Sequence, residues 1–325
     1  MQIDIATIFN PIESEMTQLN AYFLQQLHHR SLQIDNLLSY VSSHKGKRLR
    51  PAMVFLSAAI NGQINHQTHA AARVLELLHF SSLIHDDIVD NGQKRHNKPT
   101  VNAQWNNRVA VLLGDYLLSE SVHLIAQSGS QRLLNIVAHT TKAMVSGELL
   151  QLAYLQEHIL SKEQYMAVIQ QKTASLIAAC FEMGAASAGA DEATVQQWRD
   201  FGMETGIIFQ IKDDLFDYQK NDVLGKDAYK DIQEHKISLP FIFALEQTPA
   251  DKRQEWFQRY KNHSGTEEEI QAIIDMVIEN RGIALTEQFL EDKFQQIRQF
   301  IDKQPDSIYK QSLLSLICYV KDRRY

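Results

Sequence analysis

Two aspartate runs carry the chemistry of this chain: Asp86, Asp87 and Asp90 in DDIVD, and Asp213, Asp214 and Asp217 in DDLFD. Each is set in an apolar stretch patterned as a helix. Carboxylates repeated one and four positions apart crowd one side of a helix. Like charges about 4 Å apart repel by roughly 4 kcal/mol at an effective dielectric of 20, so a chain that builds this arrangement twice uses the field to hold cations. Oxygen-only donors suit Mg2+, which keeps several waters and binds substrate phosphates through one or two carboxylates. The basic residues fall into matching groups: Lys47, Arg48 and Arg50; Arg95 and Lys98; Lys172; and Lys226 with Lys236. Any one of these, like a single DDxxD, reads as a solvated surface. Together they describe a place for two diphosphates. Neither a Walker pattern nor GxGxxG is present, which disfavours nucleotide-dependent phosphoryl transfer and points to diphosphate as a leaving group.

The elements that must position these groups are helices. Thirteen Gly and 6 Pro in 325 residues, lying mostly outside the periodic stretches, indicate an all-α protein. Apolar residues recur at helical spacing over 18–40, the basic segment SSHKGKRLRP interrupts, and the pattern resumes over 53–90, ending in the first acid cluster. NGQKRHNKPTVN reads as a loop. Further helices are expected over 109–126, 132–155, 162–188 and 193–218, the last carrying the second cluster. The polar stretch QKNDVLGKDAYKDIQEHKISLP follows as a long loop of the kind that serves function. NHSGTEEE near His263 reads as a surface turn whose glutamates suit the next helix N-terminus.

The net charge of -7 argues against general nucleic-acid binding. Cys180 and Cys318 show no metal or redox spacing and read as buried, reduced thiols. The N-terminal MQIDIATIFNPIESEM lacks a basic region followed by an apolar run, and no 18 uninterrupted apolar residues occur. The expectation is a soluble cytoplasmic enzyme and not an integral membrane protein.

In order along the chain, GKRLRP from Gly46, LELLHFSSLIHDDIVD, RHNKPT from Arg95, GDYLL from Gly114, GELLQ from Gly147, KTASL from Lys172, FQIKDDLFD from Phe209, GKD from Gly225 and DIQEHKISLP resemble the motifs of the trans-isoprenyl diphosphate synthases, also called polyprenyl synthetases. The resemblance implies one domain, residues 1–325, folded as an all-helical isoprenoid-synthase bundle around a deep central cavity and paired as a homodimer. It implies Mg2+-dependent condensation of isopentenyl diphosphate with an allylic prenyl diphosphate. Asp86, Asp90, Asp213 and Asp217 would then form the magnesium set, with Asp87 and Asp214 in support. Lys47, Arg50, His79 and His96 match positions serving isopentenyl diphosphate; Arg95, Lys172 and Lys226 match allylic-diphosphate contacts. Thr173 and Gln210 would line the path of the cation, and Lys236 would add positive charge. His79 lies seven residues before Asp86, two helical turns away on the same face. In the implied mechanism the allylic carbon–oxygen bond ionises, the isopentenyl double bond attacks, and the released diphosphate takes a proton.

Some positions depart from the family or carry a plainer reading. His85 reads as a packing residue or hydrogen-bond partner more than a base, and Trp105 as either a cleft aromatic or a loop anchor. Where the family has two arginines and a glycine, this chain has Arg95, His96 and Asn97, and histidine lacks the guanidinium fork. Lys45 and His235 replace expected glycines. Ser81 and Ser82 are small where short-chain members place an aromatic. One helical turn, roughly 5.4 Å, compares with one isoprene unit, so the floor is expected at Leu77, Leu78 or within 109–118. The product expected is a medium- or long-chain polyprenyl diphosphate of the kind that supplies quinone side chains. The alternatives are a farnesyl or geranylgeranyl diphosphate synthase, a weakly active subunit of a heteromeric synthase, and a terpene cyclase, against which DDLFD and GKRLRP both argue.

Overall fold

The computed structural model describes residues 4–43, 46–95, 98–156, 161–218 and 229–323. Apart from a short antiparallel ribbon pairing Lys94–Arg95 with Lys98–Pro99, every regular element among these is helical, as the sequence leads one to expect. The chain divides into two compact units. The first comprises Met1–Lys142, Leu176–Gly202 and Gln304–Leu316, the second Ala143–Ser175, Met203–Lys303 and Ile317–Tyr325.

In the first unit the expected helix over 53–90 is two helices, Leu49–Asn61 and His66–Val89. The break has a local cause. Asn65 is extended, its side chain accepts from the amides of Gln67 (2.8 Å) and Thr68 (3.3 Å), and Thr68 Oγ1 accepts from the Asn65 amide at 3.2 Å. This reciprocal cap starts a new helix even though the apolar pattern runs on. Leu75, Leu77 and Leu78 are then buried, each worth about 2 kcal/mol of apolar transfer. The helix ends as abruptly as it begins. Asn91 is left-handed (φ 52°), the Asn91 amide donates to the Ile88 carbonyl (3.2 Å) and the Gly92 amide to that of Asp87 (2.8 Å), the two bonds of a Schellman closure.

The expected helix over 18–40 is also interrupted. Glu13–Ala21 passes into one π-helical turn, Tyr22–Gln26, and Leu32–Ser42 starts afresh. Asp35 ties the intervening corner by accepting from His28 Nδ1 (2.8 Å) and the His29 amide (3.1 Å).

The second unit is built around the buried helix Leu239–Gln247, whose Phe241 and Ala244 pack with Tyr260, Ile273 and Val277. The expected helix over 162–188 is present, but a π-helical turn, Gln170–Ala174, is inserted between Lys162–Ile169 and Ser175–Ser187, of which the residues from Leu176 onward belong to the first unit. Thr266 caps Glu267–Glu279 beyond the turn foreseen near His263. Of the two cysteines, both free, Cys180 is buried and Cys318 half-buried; burial pushes the Cys180 thiol up to about 12, so it stays protonated.

Candidate functional site

The first acid cluster occupies the last turn of His66–Val89, with Asp90 as the capping residue. A helix C-terminus carries partial negative charge and ordinarily favours cations, so three carboxylates there concentrate a field that a bound cation relieves. The middle acid faces inward. Asp87 is buried and held by Arg95, with Nη2 2.8 Å from Oδ1 and Nε 3.2 and 3.3 Å from the two oxygens. Asp86 and Asp90, four residues apart, share another face and are half-buried.

The basic loop meets the same helix two turns earlier. Arg48 has a left-handed backbone (φ 51°); its guanidinium lies 4.7 Å from the Phe23 ring centroid and 5.1 Å from that of Phe80, with Nη1 2.5 Å from Glu76 Oε1. Two residues on, Arg50 Nη1 stands 2.9 Å from His79 Nε2. Burial, with Arg50, Arg95 and Arg48 nearby, pushes His79 well below the usual imidazole range, although part of the residue reaches solvent. His79 is therefore neutral, accepts from Arg50 at Nε2 and carries its proton on Nδ1. Arg50, His79 and Arg95 are thus brought together, with Lys47 exposed at the loop. His96, Asn97 and Lys45 lie outside the described residues.

His85 is a packing residue. Its Nε2 lies 3.2 Å from the Val111 carbonyl and 3.5 Å from Asp115 Oδ1, and a Cβ on Gly114 would fall 2.2 Å from the same nitrogen. The glycine of GDYLL makes room for the imidazole. Trp105 is a loop anchor, edge-on to Tyr40 with centroids 5.0 Å apart, while the Tyr40 hydroxyl donates to the Pro99 carbonyl at 2.7 Å.

In the second unit the π-helical turn carries Lys172 and Thr173. Such turns recur at functional sites because they shift side chains out of helical register. Lys172 Nζ is 2.5 Å from Glu148 Oε2 and 3.1 Å from Gln151 Oε1. Sequence reasoning assigned neither residue a role, although their three-residue spacing within GELLQ puts both on one helical face. Gly147 permits the approach, since a Cβ there would lie 2.3 Å from the Lys172 amide nitrogen. Thr173 Oγ1 donates to Gln210 Oε1 at 2.9 Å, and Gln210 Nε2 donates to Asp214 Oδ1 at 3.0 Å.

Asp214 is the inward acid of its cluster, as Asp87 is of the other. Its Oδ2 accepts from the Tyr165 hydroxyl (2.6 Å) and the Leu239 amide (3.1 Å). Burial pushes its carboxyl up to about 7, opposed by these donors and Gln210. Asp213 pairs with Arg323 at 2.6 Å, and Asp217 Oδ2 accepts from the Ile232 amide at 3.1 Å. Lys236 Nζ lies 2.7 Å from Glu234 Oε2, and its carbonyl accepts from Tyr260. His235 does adopt a glycine-like backbone (φ 56°), with Nδ1 3.2 Å from the Tyr260 carbonyl. Lys226 lies outside the described residues.

These donors fit a hard divalent cation. Among the described residues no three acid, histidine or cysteine side chains converge tightly enough to hold an ion by themselves. Carboxylate oxygens are the donor type a hard divalent cation takes, with water and substrate phosphate completing its shell. In the second cluster Asp213 is paired with the Arg323 guanidinium.

Comparison with known proteins identifies the family. A family model described as polyprenyl synthetase matches residues 32–277. The octaprenyl diphosphate synthase of Haemophilus influenzae is 31% identical over 314 residues, 96% of this chain and 95% of its own. A Caulobacter crescentus polyprenyl synthase, solved with calcium and isoprenyl diphosphate, has a TM-score of 0.91 at 29% identity, covering 100% of this chain and 99% of its own. The geranylgeranyl pyrophosphate synthase of Bacteroides thetaiotaomicron has a TM-score of 0.85 at 34% identity, covering 98% and 99%. The protein belongs to the polyprenyl synthetase family and is an enzyme, a prenyltransferase.

Proposed function

We propose that this enzyme condenses isopentenyl diphosphate with an allylic prenyl diphosphate, in trans, and repeats the step to a medium or long polyprenyl chain such as a quinone side chain requires. The observation that carries this reading is the Lys172, Thr173 and Gln210 group, a cation beside two neutral dipoles. An ammonium serves the departing diphosphate, while hydroxyl and amide dipoles stabilise an allylic cation without capturing it.

Asp86, Asp90, Asp213 and Asp217 would hold Mg2+, and the calcium in the Caulobacter relative supports a divalent ion. When bound, the metal neutralises charge on the leaving diphosphate. Arg95, Lys172 and Lys226 hold the allylic diphosphate, and Lys236 adds positive charge. Lys47, Arg50, His79 and His96 hold that of isopentenyl diphosphate, His79 through a neutral N–H. The allylic carbon–oxygen bond breaks, the isopentenyl double bond forms the new carbon–carbon bond, and a proton leaves to the released diphosphate.

The reading treats residues 1–325 as one catalytic domain of a cytoplasmic homodimer. Val145, Leu149 and Leu152 form an exposed apolar stripe at helical spacing, and Leu112 is exposed on its own helix, which supports burial against a second copy. Asn107–Gln127 is long and apolar enough to cross a membrane, yet it packs on His66–Val89, with the Ser81 hydroxyl donating to the Gly114 carbonyl at 2.8 Å.

The test is chromatography of products made by the purified chain with Mg2+, labelled isopentenyl diphosphate and geranyl, farnesyl or geranylgeranyl diphosphate. Products longer than geranylgeranyl diphosphate are expected. Products that stop at that length support the short-chain reading, favoured by the 34% identity to the Bacteroides enzyme. No turnover would overturn the proposal.

A further inference from the structure

The hydrogen-bond chain through Asp214 has a direction that reaches Thr173. Asp214 receives Tyr165 and the Leu239 amide on Oδ2 and Gln210 Nε2 on Oδ1. A carboxylate only accepts. Gln210 must therefore turn its NH2 to Asp214, because the flipped amide would set two oxygens against each other. Gln210 Oε1 then faces Thr173, whose single proton is committed to it. The lone pairs of the Thr173 hydroxyl, and not its hydrogen, are left for a substrate.

The π-helical turn makes this possible. In an uninterrupted helix, Tyr165 and Thr173 would stand about 80° apart. Absorbing one extra residue in Gln170–Ala174 brings them to within about 20°, so both reach the Gln210 and Asp214 pair, four residues apart on one helix.

We infer that Tyr165 and Asp214 are positioning residues that fix the polarity of Gln210 and Thr173, so that an allylic cation meets oxygen lone pairs and not the positive end of an O–H bond. This rests on the proposed function. The polarity belongs to the ionised Asp214, to which the Tyr165 hydroxyl, the Leu239 amide and Gln210 Nε2 all donate.

Asp214→Asn tests the polarity with little change of shape. Its Nδ2 would donate to Gln210, flip that amide and push the Thr173 proton outward. The expected result is a kcat about 100-fold lower, with KM for both diphosphates and calorimetric Mg2+ affinity unchanged. Exchanging the groups in Asp214→Asn/Gln210→Glu restores an acceptor beside Thr173 at constant net charge, and should recover at least about tenfold of the lost kcat. Wild-type kcat in the single variant, weakened Mg2+ affinity, or a double variant no faster than the single overturns the inference. A thermal-unfolding cycle between Tyr165→Phe and Asp214→Asn reads the contact without turnover. Coupling is expected, and its absence overturns the inference alone. Failure of the wild-type enzyme to turn over overturns the proposed function instead.

Discussion

Arg323 closes on Asp213, with Nη2 2.6 Å from Oδ1, while its guanidinium lies 3.7 Å from the Phe209 ring centroid and donates to the Phe209 carbonyl at 2.8 Å. A guanidinium on Asp213 Oδ1 lowers the negative charge this carboxylate offers to a metal ion. In the proposed site Arg323 would therefore weaken the hold of Asp213 on Mg2+. Arg323→Gln is expected to tighten calorimetric Mg2+ binding by roughly three- to tenfold in the absence of substrate. Unchanged or weaker binding would remove that effect.

The basic loop rests on a buried ion pair. Side chains of Arg48 and Glu76 are only 9% and 5% exposed, so each charge depends on the other. Glu76→Gln should cost about 3 kcal/mol in denaturant unfolding, because an uncompensated guanidinium remains inside. Arg48→Met with Glu76→Leu should cost less than either single change. The left-handed Arg48 backbone sits between Lys47 and Arg50, so the single variant should also raise KM for isopentenyl diphosphate more than it lowers kcat. A variant of wild-type stability would argue against the pair.

Much of this is legible in the sequence because it is local. The acid clusters, the GKRLRP loop and the helix series follow from spacing and periodicity along the chain. The cap at Asn65 is local too, and Asn65 with Thr68 three residues on is its signal, but the unbroken apolar pattern over 53–90 masks it. The π-helical turn at Lys172 has no comparable signal. It accompanies the approach of Gly147, and contacts between helices are decided by tertiary packing. For the same reason Tyr165 and Arg323 escape sequence reasoning, since their partners Asp214 and Asp213 lie 49 and 110 residues away. The inward turn of Asp87 and Asp214, as against their outer neighbours, is likewise set by Arg95 and Tyr165.

His79 should not titrate as an ordinary histidine. Its folded pKa is depressed by burial and by Arg50, Arg95 and Arg48. Above the unfolded value of about 6.5, both states are neutral and its contribution to stability is complete. As pH falls below that value, the unfolded chain takes a proton that the folded protein resists, so stability is lost progressively toward the folded pKa. In an NMR titration the His79 ring signals should not move between pH 8 and 6. His79→Gln should reduce the acid loss of stability. A midpoint near 6.5 would show that neither burial nor the three arginines act on it.

His96→Arg restores the guanidinium fork that the family carries beside Arg95. The expected result is a lower KM for isopentenyl diphosphate, with KM for the allylic substrate little changed. A KM for isopentenyl diphosphate that stays the same or rises would take His96 out of that substrate's site.

Ser81 is the most direct handle on product length. It lies five residues before Asp86, is 4% exposed, and its hydroxyl donates to the Gly114 carbonyl on Asn107–Gln127 at 2.8 Å. A phenyl group there has to occupy space between the two helices, at a stability cost of about 1–3 kcal/mol for overpacking, and it narrows whatever passage they border. Ser81→Phe is expected to shift the product distribution to shorter chains and lower the melting temperature, with turnover of short allylic primers kept. A folded Ser81→Phe enzyme with an unaltered chain-length profile would mean that the growing tail does not pass Ser81, and the floor would then have to be sought elsewhere.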